Sequence, residues 1–111
     1  MTELHKQQCH ECSPDEALST EECAVLLQQL EPPWQHDAND KSISHRYSFK
    51  NFYQTMAFAN VIAQIAHQQD HHPDLSISYN RCTVNYSTHS VGGLSLNDFI
   101  CAARINAAMY L

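Results

Sequence analysis

Basic residues are scarce in this chain. Six lysines and arginines stand against twelve aspartates and glutamates, a formal charge of −6 with histidine neutral. Lys6, Lys41, Arg46, Lys50, Arg81 and Arg104 are scattered, so no basic stripe follows a phosphate backbone and no nucleic-acid partner is expected. Glycine is scarcer still. The two glycines, Gly92 and Gly93, are adjacent, and with four prolines this excludes a linker-rich or collagen-like chain. No apolar run approaches the ~18 residues of a membrane span. The opening residues are not followed by the apolar core of a secretion signal. The expectation is a cytoplasmic protein without a membrane partner. Its five cysteines, an odd number, then read as reduced thiols rather than a disulfide framework.

What is present suffices for one domain. The 111 residues are 43% hydrophobic, close to the globular norm, and can bury a single modest core. Residues 1–14 are polar and unpatterned apart from Cys9-His10-Glu11-Cys12, and are expected to form a flexible tail before a domain over residues 15–111. Ser19-Thr20-Glu21-Glu22 is a capping box ahead of Cys23, Leu26, Leu27 and Leu30 at helical spacing. Pro32-Pro33 ends that helix. Trp34 begins an extended segment, and Asn39-Asp40 is a turn signal. Ile43, His45, Tyr47 and Phe49 alternate with polar residues, which predicts a strand in a hairpin with the Trp34 segment.

From Asn51 to Asp70 the period becomes helical. Phe52, Met56, Ala59, Ala63 and Ala66 form one apolar stripe, with Phe58, Ile62 and Ile65 beside it. So wide an apolar face predicts cover by the sheet and by a partner. Phe49, Phe52 and Phe58 are expected in the core; Tyr79 and Tyr86 in the core or at an interface. Leu75, Ile77 and Tyr79 alternate, Asn80-Arg81 turns, and Cys82, Val84 and Tyr86 alternate again, a second hairpin. A last helix opens at Ser95-Leu96-Asn97-Asp98, with Phe99, Ile100, Ala103, Ala107 and Tyr110 apolar. The predicted fold is α+β: helix-strand-strand-helix-strand-strand-helix, a four-stranded antiparallel sheet with three helices packed on one face.

The chemistry concentrates in His71-His72-Pro73-Asp74, Thr88-His89 and Asp98. Histidine, with an unperturbed pKa of about 6.5, gives and takes protons near neutrality. His67 and His71 are spaced to share a helix face, and Pro73 is expected to stop the helix and turn His72 elsewhere. His89 comes from another element, with the parity that points away from Val84 and Tyr86. Such a cluster suits acid–base chemistry or a metal. Asp98 either orients an imidazole or caps the last helix. Cys9-x-x-Cys12 is half of a zinc site or a redox pair, with His5, His10 or Cys23 as further donors.

Read together, these residues resemble the pterin-4a-carbinolamine dehydratase family. The resemblance rests on Phe49-Lys50-Asn51-Phe52, Phe58, His71-His72-Pro73-Asp74, Tyr79-Asn80, Val84, Ser87-Thr88-His89, Gly93-Leu94-Ser95 and Asp98. The gaps fit: five residues between Pro73 and Tyr79, nine between Tyr79 and His89, eight between His89 and Asp98. The resemblance runs from about Leu18 to Ile105. It implies removal of water from a 4a-hydroxytetrahydropterin to give a quinonoid dihydropterin, which recycles the cofactor of aromatic amino acid hydroxylases. It implies no metal and no organic cofactor. His71, His72 and His89 would be catalytic, His71 and His89 as the principal acid–base groups and His72 mainly assisting binding. His71, His72, Pro73, Thr88, His89, Ser90 and Val91 would line the pterin site, with Asp98 and His67 supporting it. A homodimer or homotetramer is implied as well. At least one branch of the family also acts as a binding module that stabilises dimers of a transcription factor. This chain departs from the family where His67 replaces a frequent acid and Asn97 a frequent basic residue.

Overall fold

Ser19 starts the first helix as its spacing to Glu22 predicts. Its hydroxyl accepts from the Glu22 N–H at 3.1 Å, and the Glu22 carboxylate accepts from the Ser19 N–H at 2.9 Å. The structure, a computed structural model, describes residues 3–37 and 41–109. The Asn39-Asp40 turn and Tyr110 therefore lie outside the described residues. Helix α1 spans Thr20–Leu27, and Leu30 is buried just beyond it. Strand β1, Gln35–His36, pairs antiparallel with β2, Ile43–Ser48, the first predicted hairpin. Helix α2 spans Phe52–Gln69, capped by the Asn51 side chain accepting from the Gln54 N–H at 2.9 Å. Strands β3, Asp74–Ile77, and β4, Arg81–Tyr86, form the second hairpin. The Ser78 N–H donates to the Arg81 carbonyl at 2.9 Å, so Tyr79 and Asn80 are its two-residue loop. Helix α3 spans Leu96–Met109.

The sheet order is β1-β2-β4-β3, with every pairing antiparallel. Ile43 and Tyr47 of β2 and Cys82, Val84 and Tyr86 of β4 are buried. Period two puts them on one sheet face, toward Phe58 and Ile62 of α2 and Phe99, Ile100 and Ile105 of α3. Asn106 ties α3 to β2 and to the segment that leads into β1. Its Oδ1 accepts from the Trp34 indole Nε1–H at 3.0 Å and the Tyr47 hydroxyl at 2.6 Å, while its Nδ2 donates to the Pro32 carbonyl at 2.9 Å. Among the described residues no helix is long and apolar enough to cross a membrane.

Two expectations change. The buried face of α2 is Thr55, Phe58, Ala59, Ile62, Ala66 and Gln69. Phe52 is therefore not in the core but 49% exposed, and Tyr53, Met56 and Val61 are exposed too. Both stripes are apolar, but one face of a helix meets the sheet and α3, and among the described residues nothing covers Phe52, Tyr53, Met56 and Val61. Residues 3–13, read from the sequence as a tail, lie against α3. Leu4 and Cys12 are buried, and the Arg104 side chain donates Nε–H to the Gln7 carbonyl at 3.1 Å. This contact is made by Leu4, Cys9 and Cys12 at no regular helical or strand period and by several polar anchors, so it carries no periodic signature.

Candidate active site

Helix α2 ends at Asp70, before Pro73 can act on it. Asp70 adopts the left-handed conformation, with φ 50° and ψ 44°. The His71 N–H returns to the Ala66 carbonyl at 3.1 Å and the Asp70 N–H to the His67 carbonyl at 3.3 Å. This double closure is a Schellman turn. His67 stays on the last helical turn, exposed, while His71 lies past the reversal. The two therefore do not share a helix face. The reversal, rather than Pro73, separates His71 from the rest of the helix and turns it toward α3.

There it meets Asp98. The His71 Nε2 lies 2.7 Å from Asp98 Oδ1; the imidazole is 12% exposed and the carboxylate 0%. Asp98 Oδ2 accepts from the Thr88 hydroxyl at 2.7 Å and from the Ser95 N–H at 2.9 Å. Thr88 has spent its one proton on Asp98, so at their 2.8 Å contact the Ser95 hydroxyl donates to Thr88. Oδ2 takes two donated hydrogens, as a carboxylate acceptor does, and the same acceptor role at Oδ1 places the hydrogen of that bond on His71 Nε2. Nδ1 is left as the nitrogen that takes or gives a proton. Asp98 also performs its other predicted role: its bond to the Ser95 N–H is the return half of a capping box at the start of α3.

The imidazole is held on its face as well. It stacks on Tyr86 with centroids 5.1 Å apart and planes 16° apart, and the Tyr86 hydroxyl donates to the His71 carbonyl at 3.1 Å. Burial works against the imidazolium, but the Asp98 hydrogen bond and charge outweigh it, and the His71 pKa is raised above the ordinary histidine value. Burial also pushes the Tyr86 phenol up, so it stays a neutral donor.

His71, Asp70, Thr88 and Ser90 line a cavity of about 530 Å³ with Gln69 and Asn97, a size suited to a small ligand. Its remaining wall is the N-terminal segment Cys9, His10, Glu11 and Cys12. Asn97 clamps that wall: its Oδ1 accepts from the His10 N–H at 3.2 Å and its Nδ2 donates to the His10 carbonyl at 2.6 Å. Gln69 holds it from the other side, accepting from the Cys9 N–H at 2.8 Å. These wall residues were not anticipated from the sequence. The nearest signal is Asn97, marked only as a departure from a familiar pattern. The Cys9-x-x-Cys12 pair diverges: Cys9 Sγ lies 3.6 Å from Cys101 Sγ, whereas Cys12 Sγ accepts from Asn97 Nδ2 at 3.4 Å.

The other predicted residues stand apart from this cavity. His89 opens a 3-10 turn, His89–Val91, that Gly92 closes with φ 68°, and the Thr88 N–H donates to the Gly93 carbonyl at 2.8 Å across it. Thr88 points inward and His89 outward, as the strand parity predicts. His89 borders a smaller recess, of about 220 Å³, with Lys41, Ser87, Thr88, Gly92 and Gly93. His72 is exposed, and Pro73 and Val91 are half-buried, beside the cavity's lining rather than in it.

The family model described as pterin 4 alpha carbinolamine dehydratase matches residues 16–108. A candidate pterin-4-alpha-carbinolamine dehydratase, as named, of Nitrosomonas eutropha is 50% identical over 110 residues, covering 96% of each chain. A likewise named protein of Legionella pneumophila is 45% identical over 106 residues, covering 95% of this chain and 94% of its own. Among solved structures, one described as a transcriptional coactivator/pterin dehydratase from Brucella melitensis superposes with a TM-score of 0.76. It is 32% identical and covers 81% of this chain and 95% of its own.

Proposed function

This chain belongs to the pterin-4a-carbinolamine dehydratase family, and from that premise we propose that it dehydrates a 4a-hydroxytetrahydropterin to the quinonoid dihydropterin. The observation that carries the reading is the His71–Asp98 pair, 2.7 Å apart, at a cavity of small-ligand size. The C4a–oxygen bond breaks, a proton goes to the departing hydroxyl, which leaves as water, and the adjacent ring nitrogen loses a proton. Two proton-transfer groups of opposite role are required. His71, with Nε2 committed to Asp98, serves through Nδ1 in one role. His89, next in the chain to Thr88 but on the neighbouring recess, is assigned the other role, and His72 assists binding. Pro73, Ser90 and Val91 complete the contact surface, and the product's reduction would return the cofactor to a hydroxylase.

The test is direct turnover of a 4a-hydroxytetrahydropterin by the purified chain. Activity falling about 10²–10⁴-fold in His71→Ala and in His89→Ala supports the reading; no turnover by the unmodified protein, or full turnover by His71→Ala, sinks it. A binding-module role is the second reading, supported by the coactivator description of the 32%-identical Brucella protein. Partner binding that survives His71→Ala would favour it. Assembly into a homodimer or homotetramer is supported by the exposed apolar side chains Phe52, Tyr53, Met56 and Val61 on α2. Light scattering on the purified chain checks it.

A further inference from the structure

His10, Cys12 and Glu16 are assigned no proton transfer in the proposed dehydration. Their donor atoms nonetheless all lie within 4.8 Å of one another, and His10 Nε2 is 3.1 Å from Glu16 Oε2. We propose that these three side chains form a zinc site in the wall of the candidate active site. Imidazole nitrogen, thiolate sulfur and carboxylate oxygen are the donor types zinc takes, at bond lengths that space tetrahedral donors by roughly 3.3–3.6 Å. Closure onto an ion thus asks for shifts of about an ångström. Three protein donors leave a fourth tetrahedral position for water.

The site is built rather than incidental in two respects. Cys12 is buried, and its sulfur accepts from Asn97 Nδ2 at 3.4 Å, an outer bond a metal-bound thiolate would keep, while its S–H, now directed at the His10 carbonyl at 3.6 Å, is the proton the metal would displace. The same Asn97 amide clamps the His10 backbone through both its N–H and its carbonyl. The 3-10 turn Pro14–Glu16 brings Glu16 back over the loop that carries the other two donors. Cys9 is outside this set, because its thiol faces Cys101 and the Asn97 carbonyl at 3.7 Å. His10 and Cys12 also line the cavity shared with His71, so the metal would stiffen that wall.

The full chain is stripped with a chelator, desalted, and titrated with zinc against a chromophoric competitor, with bound metal counted by elemental analysis. One zinc per chain is expected, with affinity reduced at least about tenfold in His10→Ala, Cys12→Ser and Glu16→Gln, and unchanged in Cys9→Ser. Cobalt substitution should give a sulfur-to-metal charge-transfer band in the unmodified protein, which reports thiolate ligation even where Cys12→Ser fails to fold. The assignment is overturned by sub-stoichiometric zinc, by absence of that band, by full affinity in Glu16→Gln, or by equal loss in Cys9→Ser. Metal content is read independently of dehydratase turnover, so either proposal can fail alone.

Discussion

Tyr86 holds His71 twice, once through its ring and once through its hydroxyl. The phenol ring lies against the imidazole at 5.1 Å, and its O–H reaches over to the His71 carbonyl. The last core residue of β4 thereby sets the plane of the imidazole, while Asp98 of α3 sets its direction in that plane.

The two restraints separate by mutation. Tyr86→Phe keeps the stack and loses one hydrogen bond, so it should cost about 1 kcal/mol. The His71 titration should stay close to that of the unmodified protein. Urea denaturation and NMR titration of the His71 ring read the two quantities.

Asp98→Asn should behave differently. His71 has a folded pKa above its unfolded value, so its stabilising contribution is complete below the unfolded pKa. It is lost as pH rises through the folded value. Without the carboxylate charge the His71 pKa should fall. Stability should drop by roughly 1.5–3 kcal/mol on the acid side of the transition, as for a hydrogen bond to a charged group, and by less on the alkaline side. Denaturation midpoints across pH 5 to 9, roughly bracketing the histidine range, should therefore converge for the two proteins as pH rises. Parallel curves would show that the Asp98 charge does not act through His71.

His67 and His72 are both exposed, but different outcomes are expected. His67→Ala should leave stability within about 0.5 kcal/mol and turnover unchanged, because Asp70 reverses the chain between it and His71. His72→Ala should raise KM more than it lowers kcat. Steady-state kinetics with a 4a-hydroxypterin substrate distinguishes these, and a kcat loss in His72→Ala as large as that of His71→Ala would place His72 in the chemistry.

Leu4→Ala measures the docking of the N-terminal segment. Leu4 is 6% exposed within the core cluster. Its truncation should cost about 2 kcal/mol, the lower end for a buried leucine because the site lies near a chain end. An unchanged urea midpoint would mean the segment does not contribute to stability.

Asn106→Ala removes the acceptor of the Trp34 indole and a partner of the Tyr47 hydroxyl, both in the core. A loss of about 2–4 kcal/mol is expected, measured by urea denaturation. A shift in tryptophan emission should accompany it, since Trp34 is the sole tryptophan in the chain.

The helices, both hairpins and the capping box were legible because each is a local pattern. Ser19 and Glu22 need three residues of separation and nothing else; Val84 and Tyr86 need a period of two. Asp98 was legible as a candidate for two roles, and the structure gives it both. The face of α2 was not legible: Phe52 and Phe58 are equally apolar, and only the position of the sheet selects Phe58. The site's N-terminal wall was hidden for a related reason. Cys9 is held by Gln69 through one polar bond across 60 residues and His10 by Asn97 through two across 87, and such bonds leave no periodic trace.

The left-handed turn at Asp70 gives the site histidine a reference point. His71 is counted from the C-terminal end of α2, through the carbonyl of Ala66, and not from the helix start. Extra turns added near Asn51 would leave the imidazole where it is. One residue inserted between Ala66 and Asp70 would swing it by about 100° around the helix axis and away from its carboxylate. The candidate site is thus indifferent to how long its main helix is and intolerant of how that helix ends.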